Sequence, residues 1–101
     1  MKKMGLAGLL LWVGVAAAAG ESNGYRELTE IYLNEHTVNF YLDEQCPNGV
    51  PYWRLDANHI DVDKGYVLLL AAFSNKQKVY VVYQNDPTAK EQCMVKRINV
   101  R

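Results

Sequence analysis

The chain has 101 residues, with eleven basic and eleven acidic side chains and a formal net charge of zero. A length of that order supports one small domain. Without a basic excess, the composition argues against binding a phosphate backbone or docking on an anionic membrane surface.

Met1 to about Gly20 reads as a secretory leader. Lys2 and Lys3 form a positive n-region, and the apolar run from Leu6 to Val15, interrupted only by Gly8 and Gly14, forms the h-region. Ala16 to Ala19 offer small-residue cleavage sites. The run is short for a membrane span, and no stop-transfer pattern or lipid-accepting cysteine follows it. The expectation is an exported protein, periplasmic or secreted, with residues 1–20 removed and one domain over residues 21–101. No stable membrane insertion is expected after that removal. Lys2 and Lys3 are two of the eleven bases, so nine remain against eleven acids and the mature charge is near −2.

Glu21 to Gly24 is polar and reads as a frayed terminus. Tyr25 to Leu33 is ambiguous: Leu28, Ile31 and Tyr32 suit a helix, whereas Thr29, Ile31 and Leu33 suit a strand. A strand is favoured because Asn34-Glu35-His36 is a link of hairpin length to a clear strand. In that strand Val38, Phe40 and Leu42 alternate with Thr37, Asn39, Tyr41 and Asp43. Pro47, Asn48 and Gly49 mark a turn. The third strand, VPYWRLD, carries Pro51, which pushes it towards a sheet edge.

From Asp61 the period becomes helical, with Val62, Tyr66, Leu69, Leu70 and Phe73 on one face. Leu68, Ala71 and Ala72 widen the stripe, predicting that protein covers most of the helix circumference. Asp61 or Asp63 suits the N-cap, and Asn75 suits a left-handed residue after the last turn. After Lys76 the period falls to two. Val79, Val81 and Tyr83 share one face and the other is also largely apolar, which predicts a central strand. Asn85-Asp86-Pro87-Thr88 marks a turn, and Cys93 to Val100 a last strand.

Cys46 and Cys93 are the two cysteines, and in an exported domain they are expected to pair. Closing a loop of roughly 48 residues is worth about 4 kcal/mol on the loop-entropy scale.

The expected fold is α+β and mostly β: five strands in the order β-β-β-α-β-β with one disulfide. That is the element order of the OB-fold, a partly open Greek-key barrel. CPNGVPYW, the helix followed by VYVVY, and the late Cys93 resemble small exported bacterial proteins with an OB-fold-like domain. More distantly the chain resembles the binding subunits of AB-type toxins of the subtilase-cytotoxin and typhoid-toxin kind. The resemblance spans roughly residues 37–100 and implies a ring of five subunits that binds glycans.

Read as a calcium loop from Asp61, the segment places Gly65 fifth and Ala72 twelfth, where a glycine sixth and a glutamate twelfth are needed. His36 and His59 lack metal-ligand spacing. No nucleophile elbow, P-loop or dinucleotide fingerprint occurs. Asp43 and Glu44 are adjacent and would point to opposite sides of a strand. No enzyme activity, cofactor, metal or nucleic-acid partner is therefore expected. Tyrosine and tryptophan remain, since they join apolar area to a hydrogen-bonding edge. The candidate binding residues are Tyr41 with Tyr52 or Trp53; the last two point oppositely, so one must leave the core. The expected function is an exported, non-catalytic binding module for a glycan or protein, able to form a homo-oligomer. The alternative is a monomeric periplasmic inhibitor or escort of another exported protein.

Overall fold

A computed structural model describes residues 19–47, 49–85 and 93–101. Its elements are β1 (Ala19–Glu21), β2 (Arg26–Leu33), β3 (Val38–Leu42), β4 (Trp53–Leu55), α1 (Val62–Ser74), β5 (Lys78–Gln84) and β6 (Val95–Val100). Among the described residues the protein is mostly β, with one helix and one disulfide. The described residues hold six strands where five were expected, the extra one being β1. It takes in Ala19 and Gly20, which the sequence assigns to the leader, and Glu21. With Ser22 buried and bonded to Val81, the frayed terminus expected from Glu21 is corrected, while residues 1–18 of the expected leader lie outside the described residues. The expected turn after Asn85 lies outside the described residues.

All laddered pairings are antiparallel. One edge of β5 carries β1 near Gln84 and β2 near Lys78, while its other edge pairs with β6. β2 then pairs with β3, and β3 with β4. β5 is thus central, as its two apolar faces predicted. One parallel bridge, Arg54 to Met94, draws β4 against the entry to β6, with Arg54 N donating to Cys93 O at 3.1 Å. Both ends of the sheet approach through that single bridge, leaving the sheet curled but open.

β3, β4 and β5 each turn one apolar face to the core. Val38, Phe40 and Leu42 of β3, Trp53 and Leu55 of β4, and Val79, Val81 and Tyr83 of β5 form the core with Leu69 and Ala72 of α1. Phe40 stacks on Trp53 at 6.4 Å between ring centroids, and Tyr83 meets Trp53 edge-on at 6.0 Å. The Cys46–Cys93 disulfide lies inside, joining the loop after β3 to the start of β6. It spans a sequence separation of 47 residues.

α1 begins as its sequence dictates: Asp61 is the N-cap, accepting from Lys64 N at 3.0 Å. The left-handed residue after the helix is Lys76 (φ 54°), while Asn75, expected there, has φ −94°. The expected coverage of the helix is also corrected. Gly65, Leu69 and Ala72 are buried, whereas Val67, Leu68, Leu70 and Phe73 are exposed, Val67 by 65%. One sheet covers one side of a helix, and among the described residues no second layer packs on the other. No helix among the described residues is long and apolar enough to cross a membrane.

Candidate functional site

The hairpin from β2 to β3 sets the geometry of the outer face. Its tip is closed by Asn34 N donating to Thr37 O at 2.8 Å. With Leu33 opposite Val38, Tyr32 must lie opposite Asn39 and Ile31 opposite Phe40. β4 continues the rows, with Asn39 opposite Arg54 and Phe40 opposite Trp53. Since Phe40 and Trp53 face inwards, Tyr32, Asn39 and Arg54 form one outward row across three strands. Glu30 and Tyr41 start the next row, which Tyr52 extends.

The contacts follow that register. The Tyr41 ring lies 6.1 Å from those of Tyr32 and Tyr52, tilted against the first and edge-on to the second. Asn39 is only 1% exposed although it points outwards, because this layer roofs it. Its Nδ2 donates to the Tyr32 hydroxyl at 2.9 Å, and its Oδ1 accepts from Arg54 Nε at 2.8 Å. The Arg54 guanidinium also lies 5.4 Å from the centre of the Tyr52 ring, and its Nη2 donates to the Tyr52 hydroxyl at 3.4 Å. Partial burial raises the Tyr41 pKa above that of an ordinary phenol; hydrogen bonding to Tyr32 and the charges of Tyr32, Glu30 and Tyr52 add to this. The patch is therefore a tyrosine layer fixed from beneath by an amide and crossed by a cation.

Of the expected binding residues, the structure brings Tyr41 and Tyr52 together on this face. Trp53 is fully buried between Phe40 and Tyr83, so Tyr52 is the member of that pair which leaves the core. Tyr32, Asn39 and Arg54 were not selected from the sequence. The hairpin register was the available signal, since a tight tip at Asn34–Thr37 places Tyr32 across from Asn39.

The remaining polar groups serve the frame. Asp43 accepts from Arg26 Nε at 2.9 Å and from Glu27 N at 3.1 Å, while Glu44 accepts from Asn23 N at 2.9 Å. These adjacent carboxylates tie the start of β2 to the end of β3. His36 stands in the hairpin tip with its side chain 84% exposed. Among the described residues no three His, Cys, Asp or Glu side chains cluster in a way that could hold a metal ion.

In comparison with known proteins, the chain matches no family model, no curated protein and no solved structure.

Proposed function

We propose that this chain is an exported, non-catalytic module that binds oligosaccharide through the Tyr32–Tyr41–Tyr52 face of an OB-like barrel. Support for the barrel comes from its pairing order. Starting at β2 the neighbours run β3, β4, β6, β5 and back to β2, with α1 between β4 and β5 and the contact of β4 with the β6 entry parallel. In OB-folds the face of the second and third strands takes oligonucleotides or oligosaccharides. Here those strands are β3 and β4, and the acidic excess beyond the leader disfavours a nucleic acid.

The observation that carries the proposal is the tyrosine layer held by Asn39 and Arg54. Tyrosine offers an apolar ring for the carbon-bound face of a sugar and a hydroxyl for its edge. A fixed amide and guanidinium reduce the ordering that binding must impose. The test is a glycan array with the oxidised domain and its Tyr41→Ala and Tyr52→Ala variants. The expected result is binding to a defined set of glycans, weakened by each change at least tenfold, about 1.4 kcal/mol. Absence of glycan binding, or binding indifferent to both changes, would refute it.

A second reading, a monomeric periplasmic inhibitor or escort, draws on the uncovered apolar side of α1, since exposed apolar patches mark protein contacts. Light scattering coupled to gel filtration separates the assemblies. A mass near five protomers supports the ring implied by the toxin-subunit resemblance, and a single protomer excludes it.

A further inference from the structure

α1 meets the core through Gly65, Leu69 and Ala72 and turns its other side to solvent. Asp63, Val67, Leu70 and Ser74, spaced i, i+4, i+7 and i+11, form one exposed stripe along that side. Phe73 stands beside the stripe and is exposed like Val67 and Leu70. The two ends of the stripe carry opposite charge. At the start Asp61, Asp63 and Glu35 outnumber Lys64, and past the end Lys76 and Lys78 outnumber Glu27.

The ends differ in shape as well. At the start, Asp61 and Asp63 border a cavity of about 550 Å³ with Leu33, Ile60 and Val62 as its apolar wall. At the other end Phe73 and Lys76 stand together on a smaller hollow of about 260 Å³. Along one helix the surface therefore runs from an acid-rimmed apolar cavity, through two exposed aliphatic side chains, to an aromatic ring followed by a base.

We propose that this side of α1 is covered by α1 of a second copy of the chain, packed antiparallel about a two-fold axis. In such a contact the same surface is used by both copies, so it must be complementary to itself. An axis level with the middle of the stripe sets Val67 of each copy against Leu70 of the other. It also brings Phe73 and Lys76 of each copy to the cavity and carboxylates of the other. Both ends are matched, and each match is made twice. Parallel pairing would set Asp63 against Asp63 and Lys76 against Lys76 and would align the two helix dipoles, so charge selects the antiparallel form. A foreign partner would have to supply both ends of this pattern, whereas a second copy already carries them. The proposal is independent of export and of sugar binding. It gives the helix surface to a copy of the chain, where the inhibitor or escort reading gives it to a foreign protein. One helix face is a small interface, so the pair is expected to be reversible, with Kd of about 1–100 μM.

The experiment expresses the full chain in an exporting bacterial host and reads the protomer mass of the oxidised product by intact mass spectrometry. Sedimentation velocity over a concentration series then follows its association. The expected result is a mass that rises from one protomer to two and stops there. Val67→Lys with Leu70→Lys is expected to stay a single protomer throughout while keeping the far-ultraviolet circular dichroism of the parent. Asp63→Lys and Lys76→Glu are each expected to weaken the pair about tenfold. The two together should return Kd to within about threefold of the parent, because each reversed charge again meets its opposite. A parent that remains a single protomer at every concentration overturns the proposal, as does assembly beyond two. A dimer that survives both lysines overturns it by placing the contact elsewhere, and additive losses in the double reversal overturn the antiparallel pairing. A foreign protein bound in fixed ratio to the parent and released by the two lysines overturns it in favour of the escort reading.

Discussion

Asn39 is the residue on which the outer face depends, and Asn39→Ala tests that dependence. The substitution removes two hydrogen bonds, one from the Arg54 guanidinium at 2.8 Å and one to the Tyr32 hydroxyl at 2.9 Å. A hydrogen bond to a charged group is worth about 1.5–3 kcal/mol and a neutral one about 1 kcal/mol. Arg54 is half-buried, so water recovers part of the first term, and the expected loss is about 2–3 kcal/mol. A domain of this size holds roughly 4–12 kcal/mol in total. The change should therefore lower Tm by roughly 10–20 °C, at 4–8 °C per kcal/mol for a small domain. Thermal and urea unfolding followed by circular dichroism provide the assay. A double-mutant cycle with Arg54→Ala isolates the pair, and a coupling of about 1.5 kcal/mol or more is expected. A single-variant loss below about 0.5 kcal/mol, or an additive cycle, would refute the claim that Asn39 organises this face.

Two further expectations concern the frame. Replacing both cysteines with serine removes a crosslink spanning 47 residues of separation and should cost about 4 kcal/mol in urea unfolding; a loss under about 1 kcal/mol would contradict the loop-entropy account. Burial, and secondarily Glu44, raises the Tyr83 pKa above its ordinary 10.0, so this phenol stays neutral in the fold at pH values where the unfolded chain has lost the proton. The unfolded state then binds fewer protons, and stability must fall as pH rises beyond about 10. Tyr41 shifts in the same direction. Urea midpoints from pH 8 to about 11 should decline for the native chain and decline less for Tyr83→Phe. Equal slopes would refute the role of Tyr83.

The alternating strands were legible because one face of each is buried: Val38, Phe40 and Leu42 in β3, and Val79, Val81 and Tyr83 in β5. β2 was ambiguous for a physical reason. Leu28 pairs with Leu42 but Glu30 with Tyr41, so Thr29 is an extra residue on β2. That bulge resets the alternation, allowing Leu28 and Ile31, three apart, both to pack on the core. A spacing of three reads as helical in the sequence, although here a strand produces it. β1 was missed because three residues of Ala-Gly-Glu carry no period of their own; its pairing partner, β5, is more than fifty residues away. The candidate site was half legible. Tyr41 and Tyr52 follow from alternation, but buried Asn39 and half-buried Arg54 become a hydrogen-bonded pair only when the strands are aligned in register.

The helix marks a different limit. Its periodicity put Leu69 on the packed face with Leu70 and Phe73, but only Leu69 of these three is buried, and Gly65 and Ala72 complete the buried stripe. The pattern does not state how many layers surround the helix. With one sheet in the described domain, Val67, Leu68, Leu70 and Phe73 remain exposed despite being as apolar as their buried neighbours. This side of α1 and the tyrosine layer are separate surfaces built from separate elements, so their effects are separable. Val67→Lys with Leu70→Lys removes apolar area that is already in solvent, and such changes usually shift stability by no more than about 0.5 kcal/mol. If sugar binding resides in the tyrosine layer, this double variant retains it while losing any protein contact made by the helix. Loss of sugar binding without loss of stability would instead move the recognition surface to α1.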